Sequence, residues 1–454
     1  MGLNNTELSV VLEEINDRKV ADTVNRTAVL KNLLSGETGE INARGVNLYA
    51  KVTSNYAMKW FSEGGIYPVG GNSTRVKMTA NYSRLAISSQ LTRDVLEGAD
   101  KKAIINVISE EVMDDTITAT QELSQQLYGD SYGVKAIVAS SNGTGTVTFR
   151  VGVGDLTPDN SNVANTYGTF GLKKNTVYNF IGGSVRGGVA SIGQVLDTGG
   201  TTEFTLSSIT SGSVAVFNAE PTDDALADGD MLVLDDSYGI AVNGLNYHID
   251  SGTGTYQNVS RNTYSTLRCY VLNASNSALT VAMLYKIIFQ AKYLRGQDIM
   301  DENYIILSSP AQVHAYALLA DLSTAGYNGS SAKTTLTDMP EGKKLDFGFT
   351  MFEFAGLKWI EDPYAPAHQI FVILPSKFKI HEFKPLSPVL NGEGGFAPVP
   401  AFTSAGVGAY SDNAVYTMTW KGQLVTNDPA KAGVKITNLA TSGLALPTSS
   451  FSLT

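Results

Sequence analysis

Four histidines, His248, His314, His368 and His381, have the side chains best suited to acid–base chemistry or metal binding, because imidazole titrates near neutral pH and its nitrogens ligate cations. Their spacing argues against both. None lies three or four residues from another, so no helix turns two of them toward one ion. His381-Glu382 has no second ligand close in sequence. Placed singly, they read as structural. Glu110-Glu111 and Asp114-Asp115 bring four carboxylates onto one stretch of chain, as an acid/base pair would require. They fall mostly off the apolar stripe of that stretch, which reads as a solvated or intersubunit face.

Two further clusters suggest cation or phosphate binding and fail on their pattern. Asp228-Gly229-Asp230 and Asp235-Asp236 are separated by an apolar strand-like run, and the alternating ligands of a calcium loop are absent. Gly182-Gly183-Ser184-Val185-Arg186-Gly187-Gly188 is glycine-rich, but no Gly-Lys-Ser/Thr follows it. No Gly-x-Ser-x-Gly elbow occurs. Cys269 is the only cysteine, which leaves no disulfide framework and no cysteine-based metal site. The expectation is a protein with no catalytic residue, metal or cofactor. An enzyme with a dispersed site is the alternative these patterns leave open.

The element that positions the carboxylates is the most informative in the chain. After a strand-like segment over Tyr82–Leu91, apolar residues recur at Ile104, Ile108, Val112, Ile117, Leu123 and Leu127, the spacing of one amphipathic helix. Asp100 is placed to cap its start, and Gly129 to end it in a left-handed conformation. Such a helix spans about 40 Å at 1.5 Å per residue. Ahead of it, Gly64-Gly65 and Gly70-Gly71 mark turns of a β-hairpin over about 60–92. There Arg75 and Lys77 share one face, because strand side chains alternate. This hairpin has no obvious packing partner within the chain. Before it, short helices are expected around Leu8–Ile15 and Val20–Leu34, in a polar segment suited to ordering on neighbours.

From about 135 to 262, short β-branched runs separated by Gly, Asp and Asn predict a small antiparallel barrel or sandwich, inserted as its own module. Beyond it, helix and strand signals mix. A helix is expected over Ala278–Tyr293 and a buried strand at Tyr304–Leu307. Ser309 and Pro310 are expected to open another helix. Strands are expected to bracket Asp362-Pro363-Tyr364-Ala365-Pro366, and Ala414–Asn427 reads as a strand pair closing a sheet.

Composition narrows the function classes. The chain has 454 residues, enough for two or three domains, and only 17% are charged against roughly 25% in a typical soluble protein. That suits a turn-rich β protein or a surface largely covered by neighbouring subunits. A net charge of −10 argues against nucleic acid as a direct, tight ligand. No apolar run approaches a membrane span, and the N-terminus has no signal-peptide pattern.

The order of these parts resembles the major capsid proteins of tailed bacteriophages, which share the Hong Kong 97-like fold. The residues that carry the likeness are Leu127-Tyr128-Gly129-Asp130-Ser131-Tyr132-Gly133, with Ser131 where the family's signature has a second glycine. With them go Gly244-Leu245 through Tyr256, Trp359–Tyr364 with Phe371–Leu374, and Tyr416–Pro429. The resemblance implies an α+β fold in six parts: an N-terminal arm (1–55), an extended β-hairpin loop (56–92), a peripheral domain with the spine helix (93–134), the inserted β module (135–262), an axial domain (263–385), and a return to the peripheral domain (386–454). It implies self-assembly as hexamers and pentamers into an icosahedral shell in the virion. That shell would enclose double-stranded DNA without sequence-specific binding, with scaffolding, portal and decoration proteins as further partners and no membrane. The intersubunit contacts expected on this basis are Arg75, Lys77, Arg84, Glu110, Glu111, Asp114 and Asp115. A tail or surface adhesin component of a virion is the competing structural reading.

Overall fold

The computed structural model describes residues 29–38, 45–63, 65–92, 101–152, 168–183, 194–221, 225–296, 299, 303–327, 352–388, 396–401 and 409–441. The expected helix at Leu8–Ile15, most of that at Val20–Leu34, the Asp100 cap, Asp223-Asp224 and the glycine-rich residues from Ser184 on lie outside them. The architecture is α+β, with two open sheets, a closed barrel, a long helix and a projecting hairpin.

The centre is a six-stranded mixed sheet, ordered Val271–Ser277, Gly433–Leu439, Ile370–Ile373, Ile305–Ser308, Leu357–Glu361 and Phe352–Phe354. Its inner strands are apolar without alternation because both faces are covered. Ile305, Leu307, Phe371 and Ile373 face the long helix, while Ile306, Trp359, Ile370 and Val372 face the helices Val281–Arg295 and Pro310–Tyr327. The first of these helices starts at a Thr280 cap and ends at left-handed Gly296. The second opens at Pro310 as expected, but the Ser309 hydroxyl is buried without a hydrogen bond and does not cap it.

The second sheet gathers Lys379–Pro388, Phe396–Ala401 and Ser83–Thr92 on one strand, Ala409–Val425, with Ser35–Thr38 added in parallel at the outer edge of Lys379–Pro388. The alternating tail expected to be a strand pair is therefore a single 17-residue strand. It does close this sheet, whereas the following strand, Gly433–Leu439, lies inside the central sheet. The C-terminal part thus serves both sheets.

The long helix runs Lys101–Gln126, and its last two turns are enclosed. Leu123 and Leu127 enter the core, and Gln121, Gln125 and Gln126 are buried as well. Lys135, fully buried on the first barrel strand, pairs with Glu122 and donates to Gln125 Oε1 at 2.5 Å. Lys173 reaches Gln121 Oε1 at 3.2 Å, and burial lowers its pKa. The barrel is thus rooted on the helix through polar bonds. Its six strands close in the order Met231–Leu234, Val134–Ser141, Thr146–Gly152, Val214–Phe217, Phe204–Ile209 and Val177–Ile181 around Phe149, Phe180, Phe204 and Phe217. The last barrel strand in sequence ends at Leu234. Residues beyond it return to the body through Val242, Leu245 and Ile249.

The helix does not end at a left-handed glycine. Among the residues after it, Ser131 and Gly133 have positive φ (83° and 77°) and Gly129 does not. Ser131, a residue with a Cβ, thus bears the left-handed conformation that a glycine would take without strain. The orphan carbonyls of Leu127, Tyr128 and Gly129 instead accept the backbone N–H groups of Leu245, Asn246 and Tyr247, at 2.7, 3.3 and 3.4 Å. This head-on junction needs glycine at 244, where a Cβ would lie 2.5 Å from both Gly129 N and O. Gly244→Ala is expected to destabilise the fold by about 2 kcal/mol, read from the shift in urea midpoint. Gly254→Ala, with open space at that Cβ, is expected to leave the midpoint unchanged.

Candidate assembly surface

The projecting hairpin pairs Gly45–Thr53 with Thr74–Asn81, not residues 60–92 among themselves. Ser83–Thr92 turns away to pair with Ala409–Val425. The physical reason is the turn. The arms are separated by a long loop, within which Gly65 N–H donates to Ser62 O at 2.8 Å in a local turn that does not bring the arms together. Alternation sorts the faces as expected. Arg75 and Lys77 are exposed on one side, beside their cross-strand partners Lys51 and Tyr49.

The opposite face has the partner that sequence reading missed. Ala50, Val52 and Met78 pack on Tyr256, Val259 and Leu267. Thr79 N–H donates to Gln257 O at 3.0 Å, and the Thr266 hydroxyl to Val52 O at 3.1 Å. The base beneath is rigid. Buried Arg261 bonds Asp250 Oδ2 at 2.8 Å, donates to the carbonyls of Tyr247 and His248, and lies over the Tyr256 ring at 4.5 Å. Only the base of the hairpin is held in this way. At its tip Tyr56, Met58, Trp60, Ile66, Tyr67 and Val69 are exposed, Trp60 completely. The signal was visible in the sequence as a run of aromatic and aliphatic residues carrying few charges, too apolar for a loop that faces only water.

The other expected contact residues are dispersed. Arg84 is exposed on the strand Ser83–Thr92 directly across from Lys421, on a different sheet from Arg75 and Lys77. Asp114 is exposed on the long helix. Asp115 is not on a solvated face. It is buried and accepts the Ser89 hydroxyl at 2.6 Å, and burial raises its pKa. The side chains of Glu110 and Glu111, like those of Ile104 and Ile108, lie outside the described set.

The chemistry-bearing residues serve the fold. Asp230 is fully buried and accepts from Gly183 N and Ala227 N at 3.1 and 2.8 Å, fixing a turn. No group of three potential metal ligands occurs among the described residues. His368 Nδ1 is 2.7 Å from Leu439 O, whereas His314 and His381 are half-buried on the helix Pro310–Tyr327 and the strand Lys379–Pro388. His248 is enclosed, with Nε2 at 3.0 Å from Leu424 O and Nδ1 at 2.8 Å from the Tyr256 hydroxyl. A carbonyl only accepts, so Nε2 carries the proton and Nδ1 accepts from Tyr256. Burial depresses this imidazole from its ordinary 6.5 to about 3.

The sign of the resulting pH dependence follows. Between those values the unfolded chain binds a proton that the folded one refuses, so stability is complete above about 6.5 and is lost on acidification toward 3. Buried Asp115 and Asp362, with raised values, act in the opposite direction and contribute equally to wild type and variant. Between pH 7 and about pH 4.5 the wild-type protein should lose on the order of 2 kcal/mol more than a His248→Gln variant. Urea midpoints at the two pH values measure it.

No protein-family model and no curated protein matches the chain. Among solved structures, the capsid asymmetric unit of cyanophage A-1(L) superposes with a TM-score of 0.53 at 12% identity, covering 96% of this chain and 99% of that one. A chain of Mycobacterium phage Adephagia gives 0.44 at 10% identity over 98% and 100% of the two chains, and the capsid of a native GTA particle gives 0.44 at 8% over 93% and 94%. Of these three, the cyanophage likeness alone exceeds 0.5 and carries the assignment. The chain has the α+β, Hong Kong 97-like fold of that capsid chain.

Proposed function

We propose that this chain is the structural shell subunit of a tailed-phage-type capsid, self-assembling as hexamers and pentamers around packaged double-stranded DNA. The observation that carries the reading is the near end-to-end likeness to the cyanophage capsid chain, which leaves no large part of either chain unaccounted for. The subunit acts by binding copies of itself, not by catalysis, and resides in the virion after assembly in the host cytoplasm. Scaffolding, portal and decoration proteins are its further partners. A net charge of −10 suits a wall that confines duplex DNA without adhering to it.

In this reading the hairpin reaches the adjacent subunit. Its apolar tip buries there, and the basic face of Arg75 and Lys77 meets carboxylates of the neighbour's long helix, with Asp114, Glu110 and Glu111 as the acidic side. Arg84 contributes from the sheet behind. Asp115, already bonded within its own chain, does not. Many modest contacts repeated around closed rings give high avidity without a large interface at any one place.

Purified protein should sediment as rings or larger assemblies. Strictly monomeric behaviour at high concentration, with and without scaffolding protein, would falsify the reading. Reversing charge in Arg75→Glu/Lys77→Glu should leave the fold within about 0.5 kcal/mol of wild type, since both side chains are solvent-exposed. It should shift most of the protein from assembled to unassembled fractions. Unchanged assembly would remove this face from the interface.

A further inference from the structure

The helix Val281–Arg295 carries apolar residues on its outward face as well as on its inner one, more than a surface helix needs. Its inner residues Leu284, Ile287, Ile288 and Ala291 fill the core under the central sheet. Its outer face carries Val281, Tyr285, Phe289 and Tyr293, four residues apart and exposed by 37%, 40%, 56% and 87%. Tyr285 and Phe289 stack at 6.0 Å, and Tyr285 leans on Phe354 at 5.0 Å, so the ladder is ordered before anything covers it. Exposed Lys286 and Lys292 rim it.

A second patch is also aromatic and carries the opposite charge. At the root of the barrel Tyr132 stacks on Tyr238 at 5.4 Å, with exposed Ile240 two residues further on and Asp130, Asp235 and Asp236 within three residues of the pair in sequence. We propose that the aromatic ladder of one copy docks on the Tyr132–Tyr238 patch of a second copy. The inference rests on the reading that copies of this chain associate, and it goes beyond that reading by naming the two surfaces. Charge selects the pairing. Ladder against ladder would oppose lysines, and patch against patch would oppose carboxylates, whereas ladder against patch brings lysine to aspartate around a buried aromatic centre. Because the two surfaces differ, the contact is head-to-tail, the kind that generates rings when its rotation closes. It is independent of the hairpin, which lies on a separate sheet.

The experiment is a charge swap read by sedimentation. Lys286→Glu/Lys292→Glu and Asp235→Lys/Asp236→Lys should each lower the assembled fraction by about tenfold, and the fourfold variant that combines them should return to within about threefold of wild type. Assembly of both paired variants at the wild-type level would overturn the proposal, and would point to another occupant of the ladder such as an accessory protein. Failure of the fourfold variant to recover would overturn it too. A second arm leaves these charges intact. A Tyr293→Cys/Ile240→Cys variant, oxidised in the assembled state, should give disulfide-linked multimers on a non-reducing gel, with the native Cys269 buried and not competing. Absence of multimers in assembled protein overturns the pairing. If the wild-type protein itself does not associate, the shell reading has failed before any variant is made.

Discussion

Asp362 sits where three distant parts of the chain meet. Its carboxylate accepts the Tyr128 hydroxyl at 2.7 Å, the Tyr364 N–H at 2.9 Å and the Leu30 N–H at 3.3 Å. Tyr128 follows the long helix, Leu30 comes from the short helix Val29–Leu33, and Tyr364 belongs to the turn leaving the central sheet. A carboxylate without solvent is costly unless its lone pairs are filled. Burial raises the pKa of Asp362, the three donors lower it again, and the Tyr128 hydroxyl is pushed well above its usual range. Filling this acceptor fixes where the helix ends relative to the sheet. The junction of Gly129 with Gly244 and the barrel on Lys135 build outward from there.

The molecule divides into parts that satisfy themselves and parts that do not. The central sheet is covered on both faces, and the barrel closes its own edges. The buried cation Arg261 and the neutral His248 make the base of the hairpin a fixed platform. The unsatisfied surfaces are the hairpin tip, its basic face, the aromatic ladder and the acidic patch at the barrel root. A rigid body that presents such surfaces on separate elements is suited to binding several neighbours at once.

Much of this was legible in the sequence, for identifiable reasons. The long helix showed in its periodicity, the strands at Tyr304–Leu307 and Gln369–Leu374 in their largely apolar character, and the barrel in its short runs between turns. The hairpin partners were hidden because the arms are separated by a 20-residue loop whose glycine pairs suggested closer turns. The end of the helix was misjudged because its carbonyls are capped by residues more than a hundred positions away. Asp115 looked solvated because the helical pattern cannot show the Ser89 hydroxyl waiting across the sheet. For the same reason Lys135 gave no hint that it fastens the barrel. Of the expected contact residues, Arg75 and Lys77 stand together as the alternation required, while Arg84 and Asp114 lie on other elements.

Cryo-electron microscopy of the assembled protein tests the central claim most directly. The account predicts closed shells with five-fold and six-fold clusters, in which the hairpin of each copy lies across an adjacent copy. A folded monomer or an elongated trimer, with the hairpin tip covered by its own chain, would contradict it.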